Sequence, residues 1–458
     1  MIKIHLKDDR FEADVRAMVQ AFYPKTLLYV VKDKTCLEEQ KLKVTEPVDF
    51  TLDVDTALDD KNELKRNLYR DLSLRTGKKL PWGTLTGIRP TKIPMKLINE
   101  GISDDEILRH LSEKYLVRRD KAELSVNIAH AEHEILGQVG KDTYSLYIHI
   151  PFCRTRCAYC SFTSFPVKAY EDMMIPYVEA VIKELTYIAD KKGRKPATIY
   201  IGGGTPTALS KDALRKLINK VAELFYHDNL LEWTVEAGRP DSIDEEKLHI
   251  LKSAGVSRIS INPQTMNQAT LDIIGRNHSV DDIYHAYDMA VNAGFTNINT
   301  DLIMGLPNEG ISEVKHTLSC IERLEPANLT VHSLARKHNA DMTINDRAYE
   351  DYALNDTEEM MAASMETAKK LNLKPYYLYR QRAMSGNQEN IGFAKSGYEG
   401  YYNILIMEEY HSIISAGAGA ITKIVDVPGH LNKRIENVKD VNDYIKRIDE
   451  MIERKEGI

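Results

Sequence analysis

The chain has 458 residues, of which 28% are charged, and a formal net charge of −7. That length exceeds one ordinary core and suggests about two to three domains. The mixed charges give no basic surface for nucleic acid. No run of roughly 18 apolar residues offers a membrane span, and the first residues lack a signal peptide's apolar core. Three of the five cysteines are clustered, which is no disulfide framework and fits the reducing cytoplasm.

In the first region, 1–140, Lys3–Leu6 and Thr26–Val31 read as short strands with helical spacing from Phe11 to Tyr23 between them. Val48–Val54 alternates as a third strand, and Asn62–Thr76 reads as a helix stopped by Gly77. Pro81–Lys92 holds Trp82, two glycines and two prolines, so it reads as an ordered loop. Its Arg89 and Lys92 are candidates to meet an anion. Asp104–Leu136 has a helical pattern with Asp120 as a cap inside it. This is an α+β and helical domain, and nothing in it names a reaction.

From 141 to 345, six apolar β-branched runs alternate with helical patterns: Leu146–Ile150, Thr198–Ile201, Trp233–Ala237, Arg258–Ile261, Asn297–Leu302 and Leu329–His332. That alternation predicts a parallel α/β arrangement. Six strands fall short of the eight of a closed barrel, so the expectation is an incomplete (β/α)6 barrel, open to a large substrate. Side chains two apart share a face. On one face lie Tyr147 and His149, Thr234 and Glu236, Arg258, Ser260 and Asn262, Asn297, Asn299 and Asp301, and Thr330 and His332. A closed barrel fills its interior with branched apolar residues, so this polar set implies a lined cavity.

Directly after the first of these strands comes Cys153-Arg-Thr-Arg-Cys157-Ala-Tyr-Cys160. Soft thiolates at such spacing select iron–sulfur clusters or zinc. Three ligands leave one iron of a four-iron cluster open, whereas structural zinc wants a fourth. At the end of the second strand, Gly202-Gly-Gly-Thr-Pro206 would let a ligand approach the backbone. The lone Cys36 and Cys320 read as small buried residues.

The third region, 346–458, reads as a small α+β domain covering the substrate. Asp356–Leu371 has helical spacing, and Tyr376–Arg382 is dense in tyrosine and arginine. Ile404–Met407, Ser412–Ala416 and Ile421–Val425 read as strands, and Val438–Glu453 as a solvated amphipathic helix.

The three-cysteine loop after Tyr147-Ile-His-Ile-Pro-Phe152 resembles the radical S-adenosylmethionine (SAM) superfamily. Gly275-Arg-Asn-His278 and Asp301-Leu-Ile-Met-Gly-Leu-Pro307 resemble the HemN/HemW/HemZ-type coproporphyrinogen dehydrogenase branch. The Trp82–Pro90 loop and Tyr376–Gly392 resemble its HemZ-type subgroup. The resemblance implies a [4Fe–4S] cluster on Cys153, Cys157 and Cys160, and one or two SAM molecules. It implies SAM contacts from Gly203, Gly204, Thr205, Glu236, Gln264, Arg276 and Asp301, and catalytic roles for Tyr147 and His149. Four propionates on coproporphyrinogen III would call for cations, for which Arg336, Arg380 and Arg382, with Tyr377 and Tyr379, are candidates.

The implied reaction is oxidative decarboxylation to protoporphyrinogen IX, driven by a donor such as flavodoxin or ferredoxin. One position departs from the pattern. The best-defined dehydrogenases carry a fourth cysteine where this chain has Phe162, and the haem-chaperone relatives carry an aromatic there. The alternatives are haem binding on the same fold, another radical reaction on a tetrapyrrole such as haem methylation with ring opening, and a plain zinc protein.

Overall fold

The computed structural model describes residues 1–7, 10–24, 26–32, 49–55, 60–140, 143–193, 195–335, 357–381 and 384–458. They form two units, Met1–His130 with Leu378–Glu389, and Ala131–Tyr377 with Asn390–Ile458. The boundary expected at 140 therefore falls ten residues earlier, and the segment expected as a third domain enters both units.

In the first unit a three-stranded parallel sheet places β1 (Ile2–Leu6) between β2 (Leu28–Lys32) and β3 (Phe50–Val54). Alternation turns Ile2, Ile4 and Leu6 inward. There they meet Val15, Met18 and Phe22 of helix Glu12–Phe22 and Leu64, Leu68 and Leu72 of helix Lys61–Thr76. The second helix stops at Gly77 (φ 69°), a left-handed position that glycine adopts without a Cβ clash. The stretch 104–136 is two helices, Asp104–Tyr115 and Arg119–Leu136, parted at Leu116 (φ 55°). Trp82 is fully buried and donates Nε1 to Glu389 at 2.8 Å, and Lys121 Nζ meets the same carboxylate at 2.6 Å. The Trp82 loop and the 378–389 segment, some 300 residues apart in sequence, are thus tied together.

The second unit is built on six parallel strands. They are β4 (Ser145–Ile150), β5 (Thr198–Gly203), β6 (Glu232–Glu236), β7 (Arg258–Ser260), β8 (Asn297–Met304) and β9 (Asn328–Ser333), neighbours in chain order. Helices Met174–Lys192, Lys211–Phe225, Glu245–Ser253, Val280–Asn292 and Ile311–Leu324 fill the crossovers. Their starts follow sequence rules. Ser210 and Asp244 accept from the Ala213 and Lys247 amides three residues on, and Ser279 with Asp282 forms a capping box. The architecture is the expected open (β/α)6 partial barrel.

Later strands extend the sheet at both ends. Beyond β9 come β11 (Asn390–Ala394), antiparallel to it, and β10 (Lys374–Tyr379). Beyond β4 come β12 (Ile413–Ala416), parallel to it, and the hairpin of β13 (Ile421–Val427) and β14 (His430–Glu436).

Two expectations for the C-terminal segment are corrected. Ile404–Met407 belongs to a helix, Tyr401–Glu408, because a short apolar run has no period to separate helix from strand. Val438–Glu453 forms two short helices, Val441–Lys446 and Ile448–Glu453, and they are packed rather than solvated. Tyr444 and Met451 are wholly buried in the main core. Buried Glu184 accepts from Lys455 Nζ (2.6 Å), Tyr444 (2.5 Å), Asn437 (2.9 Å) and the Gly417 amide (2.9 Å). The tail is locked by a satisfied buried charge.

Candidate active site

The parallel register aligns the predicted polar face. Tyr147 of β4 lies level with Tyr200, Thr234, Arg258 and Asn297 on successive strands. One step toward the carboxyl ends, Glu236 lies level with Ser260 and Asn299, and beyond them Asp301 pairs with Thr330. The intervening positions, such as Leu146, Ile148, Ile199, Ile201, Val235 and Ile259, are buried in the core under the helices. Sequence alternation therefore identified the face but passed over Tyr200, whose Thr-Ile-Tyr-Ile strand carries the same signal. Tyr200 stacks against both Tyr147 (centroids 6.1 Å apart) and Tyr402 (4.4 Å), which are themselves 6.2 Å apart. Tyr402 was not legible, since it comes from the helix that the sequence presented as a strand.

Hydrogen bonds sort the carboxylates on this face. Glu236 accepts from Tyr200 at 2.5 Å. Burial, reinforced by the charge of Asp301, pushes its carboxyl up to about 7, against the Tyr200 and Gly203 hydrogen bonds. Asp301 accepts from Asn299 at 2.6 Å and faces His332 at 3.9 Å. Burial opposes its charge, but the nearby His332 imidazole and the Asn299 hydrogen bond prevail and hold it below the usual carboxylate range. Two carboxylates on one face are thus poised differently, a pattern typical of reaction sites. Tyr147 and His149 share a hydrogen bond at 3.0 Å. Burial lowers the His149 imidazole to about 4, so it is neutral at pH 7.

The Gly202–Thr205 turn is a cradle built of absent side chains. A Cβ on Gly203 (φ 111°) would stand 2.7 Å from the His149 ring, and one on Gly204 would stand 2.7 Å from the Phe152 carbonyl. Thr205 Oγ1 lies 3.5 Å from Cys153 Sγ, which joins this turn to the cysteine loop. All three loop cysteines are free thiols. Burial pushes the Cys153 thiol up to about 11, and Cys160 and Cys157 are near enough to add to that shift.

Among the described residues no three His, Cys, Asp or Glu side chains are grouped as a site for one metal ion. A cluster takes one thiolate per iron, so its ligands stand further apart than those of a single ion. The donor set, three thiols and no fourth ligand beside a glycine cradle, fits a four-iron cluster with one open iron.

The loop is pinned from behind. Arg276 donates to the Gly238 carbonyl (2.9 Å), the Asn262 carbonyl (2.6 Å) and Tyr159 Oη (3.1 Å), and its buried Nε has no protein partner. Gln264 holds a left-handed backbone (φ 68°), and its amide and carbonyl bridge to Asp301 and Ile303 of β8.

The proposed substrate arginines fare differently. Arg380 is buried in the first unit, where its guanidinium donates to the Leu85, Asn387 and Gln388 carbonyls and stacks over Trp82 at 5.7 Å. It is a structural clamp, and the expectation of a substrate contact there is corrected. Tyr379 is half-buried at the end of β10. Arg336 and Arg382, like Cys36, lie outside the described residues.

The radical SAM superfamily profile matches residues 147–321. The chain is 37% identical over 401 residues to the oxygen-independent coproporphyrinogen-III oxidase-like protein HemZ of Bacillus subtilis, covering 86% of this chain and 80% of the relative. The chain belongs to the radical SAM HemN/HemW/HemZ family. Within that family it is also 32% identical to the haem chaperone HemW of Lactococcus lactis, over 66% of this chain and 74% of the relative. The fold matches that of HemN from Escherichia coli, with a TM-score of 0.56 at 21% identity, covering 71% of this chain and 73% of that one. As a family member the chain takes a [4Fe–4S] cluster and SAM. Among the described residues no helix is long and apolar enough to cross a membrane.

Proposed function

We propose that this protein oxidatively decarboxylates propionate side chains of coproporphyrinogen III to vinyl groups, giving protoporphyrinogen IX. The observation that carries the reading is the polar strand-end face, where Tyr147, His149, Tyr200, Glu236, Asn299 and Asp301 border the cysteine loop and the glycine cradle. The family's tetrapyrrole names, and that of the HemZ relative above all, support the substrate class.

When bound, the cluster and SAM supply a 5′-deoxyadenosyl radical. Cys153, Cys157 and Cys160 hold the cluster. Gly203, Gly204 and Thr205 would present backbone to the SAM amino group, and Glu236, in its ionised form, would contact SAM. Arg276, through Nε, and Gln264 face the SAM carboxylate, and Asp301 faces ribose hydroxyls or a second SAM. Tyr147 and neutral His149 flank the reacting carbon. A propionate β-carbon loses a hydrogen atom, its carboxylate leaves as carbon dioxide, and one electron passes to an external acceptor. Two such events complete the conversion. A flavodoxin or ferredoxin would supply the reducing electron.

Phe162 supports a second reading. It is 58% exposed where the best-defined dehydrogenases carry cysteine, which favours a haem-binding role on the same fold. Anaerobic reconstitution with dithionite, SAM and coproporphyrinogen III separates the two, with Cys157→Ala as control. Matched formation of 5′-deoxyadenosine and carbon dioxide supports decarboxylation. SAM cleavage without carbon dioxide sinks it and makes haem the next compound, scored for tight binding against consumption.

A further inference from the structure

Arg239 is absent from every role assigned above, yet it is buried, with 4% of its surface exposed, behind the cysteine loop. Its Nη1 donates to the Thr155 carbonyl at 2.9 Å and to Thr155 Oγ1 at 2.8 Å, between the first and second cluster cysteines. The same nitrogen lies 3.9 Å from Cys157 Sγ, within reach of a hydrogen bond to sulfur. Nε and Nη2 are held by both oxygens of Asp241 at 3.0 Å, a bidentate pair that fixes the plane of the guanidinium. Asp241 is itself largely buried, with 14% of its side chain exposed. Thr155 Oγ1 reaches on to the Gly275 carbonyl at 3.1 Å, so the loop is braced on that side too.

We infer that the Arg239–Asp241 pair sets the reduction potential of the iron–sulfur cluster through Cys157. Reduction adds one negative charge to a cluster already carrying three thiolates. A fixed positive charge and a donor on one of those sulfurs stabilise the reduced state more than the oxidised one. Hydrogen bonds to sulfur and local charge are the protein's main levers on such potentials. Asp241 opposes this effect while it orients the donor. The other groups nearby are Arg154 and Arg156, exposed on the loop itself, Arg276, whose charge is shared with Tyr159, and His278, whose ring nitrogens have no hydrogen-bond partner and which burial lowers to about 4. Neutral His278 leaves Arg239 and Arg276 as the buried cations, and of the two Arg239 reaches the Cys157 sulfur directly. Arg239 is a positioning residue, acting through a ligand.

The inference rests on the cluster and not on the substrate proposed above, so it stands or falls apart from the decarboxylation test. The measurement is an EPR-monitored redox titration of the full-length reconstituted protein without SAM or substrate, with iron and sulfide counted for each variant. Arg239→Gln is expected to lower the equilibrium constant for one-electron reduction about tenfold, a shift of about 59 mV. Asp241→Asn is expected to shift it the opposite way, and Arg239→Lys to fall between wild type and Arg239→Gln. A purely structural brace would change cluster loading and leave the potential of the loaded fraction alone. Unchanged potentials in fully loaded Arg239→Gln and Asp241→Asn would overturn the inference. If Arg239→Gln fails to load, Asp241→Asn and Arg239→Lys decide it: shifts in opposite directions sustain the inference, and wild-type potentials in both reject it.

Discussion

On the helix-covered face of the parallel sheet, Leu146, Ile148, Ile150, Ile199, Ile201, Val235 and Ile259 are completely buried. On the opposite face the same strands carry Tyr147, His149, Tyr200, Glu236, Ser260, Asn299 and Asp301. The buried carboxylates of the unit show what separates the two sides. Glu184, beneath the helices, has a lysine, a tyrosine, an asparagine and a backbone amide arranged around it. Glu236, on the polar face, is held up near 7. The first is a structural charge with its partners built in. The second is kept responsive to whatever binds, as a site carboxylate must be.

The largest effects should come from the polar side. Cys157→Ala should abolish 5′-deoxyadenosine formation and the cluster's visible absorbance together while leaving the far-ultraviolet circular dichroism intact. A circular-dichroism spectrum that collapses with it would instead make Cys157 a fold determinant. Gly203→Val should lower SAM cleavage about a hundredfold or more, because a side chain there meets the His149 ring and a left-handed backbone disfavours it. Equilibrium binding of SAM to the reconstituted variant checks this.

On the helix side the effect is on stability. Lys455→Ala strands the Glu184 charge and should cost about 3 kcal/mol, read by denaturant unfolding. Wild-type stability in Lys455→Ala would show that water reaches Glu184.

Glu236 links the two measurements. A carboxyl raised in the folded state destabilises nothing below its unfolded value, and it costs stability as pH rises from there toward 7. Wild type should therefore lose ~2 kcal/mol relative to Glu236→Gln between about pH 5 and 7 in the absence of ligands. SAM affinity should rise over the same window, since an ionised carboxylate favours the cationic sulfonium ligand, and Glu236→Gln should flatten that rise. A parallel pH dependence in the variant would locate the titrating group elsewhere. The smallest effect belongs to the outer surface. Asp449→Asn, at the exposed pair with Lys183, should change stability by less than about 0.5 kcal/mol.

Much of this was legible in the chain. The six strands, the open barrel, the cysteine loop and the glycine cradle follow from period, punctuation and ligand spacing, which are local properties. Arg276 and Asp301 appeared as motif positions, but their partners did not. Arg380 shows the limit plainly. An arginine among tyrosines reads as a carboxylate receptor, and only the fold shows that three carbonyls and Trp82 occupy it. Arg239 shows the converse. Nothing in Gly238-Arg-Pro240 marks a contact with Cys157 until the turn after β6 is brought behind the loop after β4.

By itself the sequence determined the repeated strand–helix units, the two faces of each strand and the spacing of the three loop cysteines. These depend on residue type and on separations of two, three or four along the chain. The tertiary structure decided which charges are satisfied, which helix carries Tyr402 onto the tyrosine stack and how the tail closes over Glu184. Those outcomes depend on contacts such as that of Tyr200 with Glu236, 36 positions apart, and that of Glu184 with Lys455, 271 apart. Hydrogen bonding and desolvation act through space at a few ångströms, and no local pattern in a chain records which distant atoms will share that space.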